Sequence, residues 1–203
     1  VCVFLECAEQ WTITARFAPY GSSFTGGVNI AVEGRRIVTG TQSGGAHVRI
    51  YSLTGTLVNT GCFPYGQDFR GGVNVALADV LRNKPGKEIV VGAGQGGGPQ
   101  VIVLNKRCQS TGHSWFAYDN GMRTGVWVAA GDVNNDGKDD IVTIPGKGGA
   151  PVVKVFTGRG TQQGKQFYAF SSSNDSGAQV AVSDVDGDGD NELIAMSFAI
   201  FNE

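Results

Sequence analysis

Short runs rich in Val, Ile and aromatic residues, separated by clusters of Gly, Asn and Asp, follow one another along the whole chain. Nowhere does a helical period of 3.6 persist over about ten residues, so the pattern predicts strands throughout. The runs also repeat. Gly27-Val28-Asn29-Ile30-Ala31 recurs as Gly72-Val73-Asn74-Val75-Ala76, as Gly125-Val126-Trp127-Val128-Ala129 and, more loosely, as Gly177-Ala178-Gln179-Val180-Ala181, at offsets of 45, 53 and 52 residues. An aromatic patch precedes each copy (Phe17 to Tyr20, Phe63 to Tyr65, Trp115 to Tyr118, Phe167 to Phe170) and a β-branched run follows it. Four strands in roughly 50 residues is the size of one β-propeller blade, a sheet that buries its faces against neighbouring blades around an axis.

The fourth unit has a first and a second strand, and the run Val1 to Tyr20 reads as a third and a fourth strand with no first and second. The expected fold is therefore all-β: a four-bladed β-propeller of four-stranded antiparallel blades, with the last blade completed by the N-terminal strands, in cis or from a neighbouring subunit. In this single domain, 1–20 are the closing strands, 21–65, 66–118 and 119–170 the first three blades, and 171–203 the first half of the fourth. Completion from a neighbour makes the contact head-to-tail and builds a fibre. The apolar tail Phe198, Ile200, Phe201 is unusual for a solvated end.

Acidic residues are concentrated between the first and second strands of the third and fourth units. Nine of the 18 lie in two windows of nine residues, 132–140 and 184–192. Carboxylates packed that tightly repel one another unless a cation lies among them. Oxygens at positions 1, 3 and 5, a glycine at 6, a carbonyl at 7 and a closing carboxylate follow the ligand logic of a calcium loop, with closure at 9 where a helix-flanked EF-hand closes at 12. The expected ligands are Asp132, Asn134, Asp136, the carbonyl of Lys138 and Asp140, then Asp184, Asp186, Asp188, the carbonyl of Asp190 and Glu192. Hard oxygens without imidazole or thiolate select calcium over zinc or copper. The second unit keeps Asp79 but follows it with Leu81 and the basic run Arg82 to Lys87, and the first keeps only Glu33-Gly34-Arg35, so two calcium ions per chain are expected, not four.

The run from Gly131 to Val142 and that from Asp184 to Ile194 resemble the FG-GAP repeats of integrin α-chain propellers and the related VCBS-type repeats of bacterial surface proteins. The resemblance is strong in units three and four and rests on strand pattern in one and two. It implies an extracellular propeller with calcium in its inter-strand loops, used for adhesion or as a structural module. Integrin propellers have seven blades, so four units is a departure, and their ligand recognition does not carry over.

Composition narrows the alternatives. With 41% hydrophobic residues, 17% charged and 32 glycines, the chain can build a core but not a helical one. A net charge of -2 with scattered Lys and Arg gives no reason to expect nucleic acid, and no apolar stretch approaches the roughly 18 residues of a membrane insertion. The first residue, Val1, and the lack of a basic and then apolar leader suggest a processed form or a piece of something longer. Cys2, Cys7, Cys62 and Cys108 permit three pairings and form no Cys-x-x-Cys. Gly92-Ala-Gly94-Gln-Gly-Gly97 matches G-x-G-x-x-G, but the run after it reads as a strand, with no helix terminus for a pyrophosphate. Ser43 and His47 lack the context of a nucleophile and its base. The expectation is a non-enzymatic, calcium-stabilised extracellular module that associates head-to-tail. The alternative is a carbohydrate-binding or adhesion propeller, which requires an exposed aromatic platform at Trp115 or Trp127. Asn174-Asp175-Ser176 is a glycosylation sequon.

Overall fold

The β-branched runs become strands wherever the chain is described, and the glycine-rich clusters become turns. The computed structural model describes residues 2–7, 10–81 and 86–198, and no helix occurs among them. Strands β1 (Cys2–Cys7) and β2 (Gln10–Arg16) form a two-stranded sheet. Three four-stranded antiparallel sheets follow, each in sequential order. The first holds β3 (Val28–Glu33), β4 (Arg36–Thr41), β5 (Val48–Ser52) and β6 (Leu57–Cys62). The second holds β7 (Val73–Ala78), β8 (Glu88–Ala93), β9 (Gln100–Leu104) and β10 (Ser110–Phe116). The third holds β11 (Val126–Gly131), β12 (Asp140–Pro145), β13 (Val152–Phe156) and β14 (Gln162–Tyr168). A second two-stranded sheet, β15 (Ala178–Ser183) with β16 (Glu192–Ser197), ends the series. The strand that follows Gly97 is β9, as the sequence suggests.

The first strands β3, β7, β11 and β15 pack in succession and line a common channel. Every four-stranded sheet is buried most deeply at its second strand, because that strand has a ladder on both edges and a neighbouring sheet on its faces. β8 and β12 are buried along their whole length. Two glycines make the approach between sheets close enough. A Cβ on Gly40 would lie 2.6 Å from the Val73 carbonyl oxygen, and one on Gly92 would lie 2.3 Å from that of Val126. Side-chain amides then bridge the first strands: Asn29 Nδ2 donates to the Val73 carbonyl at 2.9 Å, and Asn74 Nδ2 to the Val126 carbonyl at 2.7 Å.

The aromatic patches hold each sheet to the next. Tyr65 Oη lies 2.9 Å from the carbonyl oxygens of both Val91 and Gln100, and Tyr118 Oη lies 2.7 Å from that of Val152 and 2.8 Å from that of Thr143. In each case the ring wedges between the second and third strands of the following sheet, satisfying carbonyls that burial would otherwise leave costly. Tyr20 does the same for the first sheet, donating to the His47 carbonyl at 2.7 Å. Burial pushes the hydroxyl pKa of all three up. Trp115 packs on Phe156 and over Gly160, and Phe17 packs in the same way on Tyr51 and over Gly55. The β1–β2 hairpin therefore stands to the first sheet as the outer half of the second sheet stands to the third. A disulfide between Cys62 and Cys108 fastens the first sheet to the β9–β10 turn. The side chains of Cys2 and Cys7 lie outside the described ones.

The segments expected to make up a fourth blade form two separate two-stranded sheets. Among the described residues β1 and β2 pair only with each other, as do β15 and β16, and no ladder joins the two hairpins. The consequence is visible in exposure. Ile30 and Val32 on β3 are 46% and 57% exposed, and Ile194 and Met196 on β16 are 42% and 56% exposed. The repeat counterparts of Ile194 and Met196, Val142 and Ile144 on β12, are fully buried. The architecture is propeller-like, with a gap in strand pairing between the β15–β16 and β1–β2 hairpins among the described residues.

Candidate metal centre

Both acidic loops connect the first strand of a sheet to its second, on one face of the molecule. The β11–β12 loop winds around Asp132. Its Oδ1 accepts from the backbone N–H groups of Asn134 at 3.3 Å and Asp136 at 3.2 Å, and its Oδ2 from Gly137 at 2.8 Å. Desolvation pushes the Asp132 carboxyl up, but these bonds together with one from Asn135 outweigh it and hold the group below its ordinary value. Further turns of the same kind run from Asp136 N–H to Asn134 Oδ1 at 2.9 Å and from Lys138 N–H to Asp136 Oδ1 at 2.9 Å. The β15–β16 loop repeats the plan. Gly187 and Gly189 N–H groups donate to the two oxygens of Asp184, at 2.7 and 3.1 Å, and Asp190 N–H donates to Asp188 Oδ1 at 2.9 Å.

The closing residues sit at the first positions of the second strands, as their spacing requires. Asp140 opens β12 and is only 2% exposed; Glu192 opens β16 and is half-buried, with its Oε2 accepting from Val185 N–H at 2.8 Å. The difference comes from β14. Gln163 on that strand donates from Nε2 to Asp140 Oδ1 and accepts from Asn134 Nδ2 at 3.0 Å. Among the described residues the β15–β16 sheet has no outer strands to provide such a cover.

Asp140 Oδ2 is buried without a hydrogen-bond partner. Burial pushes the Asp140 carboxyl above its ordinary value despite the bonds from Gln163 and from the Val133 backbone N–H, and the charges of Asp136 and Asp132 push it further. A buried carboxylate with one unsatisfied oxygen, close to the charges of two more carboxylates, is an unstable arrangement unless a cation or a proton neutralises it. In the neighbouring loop, one carboxylate oxygen from each of the exposed residues Asp184, Asp186 and Asp188 lies within 4.8 Å of the other two. All the side-chain donors are hard oxygens, so the residues present fit calcium.

In the first and second sheets side-chain cations stand at the corresponding acidic positions, although Glu33 Oε2 and Asp79 Oδ1 are likewise buried without a hydrogen-bond partner. At the place of Asp140, the second sheet has Glu88 and the first has Arg36. Glu88 Oε2 is capped by the N–H groups of Val80 and Leu81, both at 3.2 Å, and Arg36 donates to the Lys87 carbonyl at 2.8 Å. The Asp79 carboxylate is paired with Lys138 of the third sheet at 3.0 Å, and Lys87 bridges Glu33 to Asp139. Arg82 and Lys84, expected to occupy the metal position, lie outside the described residues. Lys138 thus has a second role beyond the expected carbonyl ligand.

The model of the FG-GAP-like repeat family matches residues 132–195. That segment is similar to an FG-GAP-like repeat. The FG-GAP-like match begins at the first expected ligand, Asp132, and runs through both acidic loops, the strands between them and the closing Glu192. No curated protein and no solved structure matches the chain significantly.

Three residues of the site escaped the sequence reading. Gln163 comes from a strand 23 residues away from Asp140 and has no signature of its own. Asn135 and Asn191 reach across from one loop to the other, as described below. The offset of about 52 residues was the available signal, since Asn191 stands where the earlier units have Lys87 and Asp139, which also contact a neighbouring sheet.

Other candidates find packing roles. Trp115 and Trp127 are partly buried among core residues. His47 stacks on Phe63, its Nε2 lies 2.8 Å from the Thr60 carbonyl, and burial pushes its pKa down. Ser43 donates to the Gly26 carbonyl, and Asn174 donates to Ser197 Oγ. Ile200 and Phe201 lie outside the described residues.

Proposed function

We propose that the chain is a non-enzymatic, calcium-stabilised propeller module of an extracellular surface, and that copies join head-to-tail through a shared fourth blade. The observation that carries this reading is the pair of complementary half-sheets. Each is already anchored to its own side of the gap: β1–β2 by Phe17 and by the Pro19 carbonyl, which accepts from Tyr51 at 2.6 Å, and β15–β16 by the core around Val142 and Ile144. A second copy supplies the missing half to either without unfolding anything. The β16 edge of one copy then takes the β1–β2 hairpin of the next, and Ile194 and Met196 meet Ile30 and Val32, as Gly40 and Gly92 meet the first strands of their neighbours. A heterologous contact of this kind does not close on itself and builds a filament.

Calcium belongs in this reading as the element that fixes the first-to-second strand connections of the third and fourth blades. Extracellular sites typically have dissociation constants on the order of 10⁻⁴ to 10⁻³ M and would be empty at cytosolic calcium. The Cys62–Cys108 disulfide also suits an oxidising compartment.

Sedimentation velocity across a concentration series in millimolar calcium tests the assembly. The expected result is a series of species growing with concentration. A single species of 21.2 kDa at every concentration would overturn the head-to-tail reading and favour a monomeric adhesion or carbohydrate-binding propeller.

A further inference from the structure

We infer that the two acidic loops bind their metals as a coupled pair, and that Asn135 and Asn191 are the positioning residues that carry the coupling. The inference rests on the calcium reading above and concerns how the two sites communicate.

Two hydrogen bonds cross between the loops in opposite directions. Asn135 Nδ2, from the β11–β12 loop, donates to Asp190 Oδ1 at 2.8 Å. Asn191 Nδ2, from the β15–β16 loop, donates to the main-chain carbonyl of Asp132 at 2.9 Å. Each acceptor is part of a residue expected to ligate metal through its other oxygen: Asp190 through its main-chain carbonyl, Asp132 through its side chain. Each donor is adjacent to an expected ligand, Asn135 between Asn134 and Asp136, and Asn191 between Asp190 and Glu192. Metal and cross-loop bond therefore use different atoms of the same residues and do not compete.

The backbone at Asn135 gives a second, independent indication. It has φ of 59°, in the left-handed region, and its counterpart 52 residues later is Gly187, with φ of 81°. Glycine enters that region without steric cost and asparagine does so less readily. The glycine of the sibling loop shows that the turn needs no side chain. What asparagine adds at 135 is the amide that reaches Asp190.

Coupling follows from ordering. A metal in either loop fixes a turn of exposed backbone, and through the two amides it also fixes an anchor point of the other loop. The second ion then meets a site with less freedom left to lose, which is positive cooperativity. The effect is reciprocal, and couplings of this kind are typically about 5- to 150-fold.

Calorimetric titration with calcium alone, on four forms of the full chain, tests this as a cycle: unmodified, Asp184→Asn, Asn135→Gly with Asn191→Ala, and all three changes together. Glycine at 135 suits the left-handed turn, and circular dichroism checks that each form folds. The expected result is that Asp184→Asn weakens calcium binding at the remaining loop by about tenfold, and that the same change has less than about a twofold effect once both asparagines are gone. An unchanged affinity at the remaining loop overturns the coupling, and so does a tenfold loss that persists without the asparagines. Absence of any calcium uptake by the unmodified chain overturns the calcium reading and the coupling with it. In the unmodified chain the amide resonances of Gly137 and Gly189 move together through the titration; two separated curves also overturn the coupling.

Discussion

Chelating calcium lowers the melting temperature of the chain by about 10–20 °C in a calorimetric scan. Each site contributes about 2.7 kcal/mol when free calcium is a hundred times its dissociation constant, about 10 mM for a constant of about 10⁻⁴ M, so at that concentration two contribute about 5 kcal/mol. For a chain of this size each kcal/mol moves the midpoint by about 2–4 °C. The sign of one variant makes the test sharper. With calcium present, Asp140→Asn removes a charged ligand and lowers the melting temperature. In chelator the same change removes a buried, unsatisfied carboxylate and raises it, because the neutral amide costs less to bury. A structural carboxylate with no metal role gives the same sign in both conditions, and a melting temperature indifferent to chelator contradicts the calcium sites altogether.

Met196→Lys, or Ile30→Asp on the opposite side of the gap, weakens assembly by more than about tenfold while leaving the isolated chain folded. Both side chains are about half exposed in the single chain, so a polar replacement changes its stability by no more than about 0.5 kcal/mol. In the shared blade the same positions become core, as Ile144 already is in the third sheet. Burying an apolar side chain there is worth about 1.5–3 kcal/mol, and a buried charge costs more. Association therefore weakens by more than about tenfold. The control is Val58→Lys, at another exposed apolar residue, on the outer strand β6 and not on β3 or β16; it leaves assembly unchanged. If Met196→Lys and Ile30→Asp sediment like the unmodified chain, the two faces do not meet.

Much of the fold was legible because its strands obey local rules. The β-branched runs at offsets near 52 residues mark Glu88–Ala93, Asp140–Pro145 and Glu192–Ser197 as equivalent second strands, and glycines mark the turns between them. The acidic loops were legible for the same reason, since the ligands of one loop lie within nine residues of each other. What crosses between sheets was not. Nothing local distinguishes Gln163 from any other polar residue on an outer strand, and only the β13–β14 ladder brings it to Asp140. The pairing of Lys138 with Asp79 joins residues 59 apart in the chain. The cysteines left three pairings open because bridge geometry depends on where the sheets lie, and the fold brings Cys62 to Cys108. The fourth blade was legible as two complementary halves, and how they join is a question of assembly that strand patterns do not address.

Electron cryomicroscopy of the concentrated protein in calcium addresses that question most directly. The account predicts filaments with one propeller per repeat, in which density runs without a break from β16 of one copy into the β1–β2 hairpin of the next. Dispersed single particles, or a repeat in which the two hairpins face solvent unpaired, would contradict it.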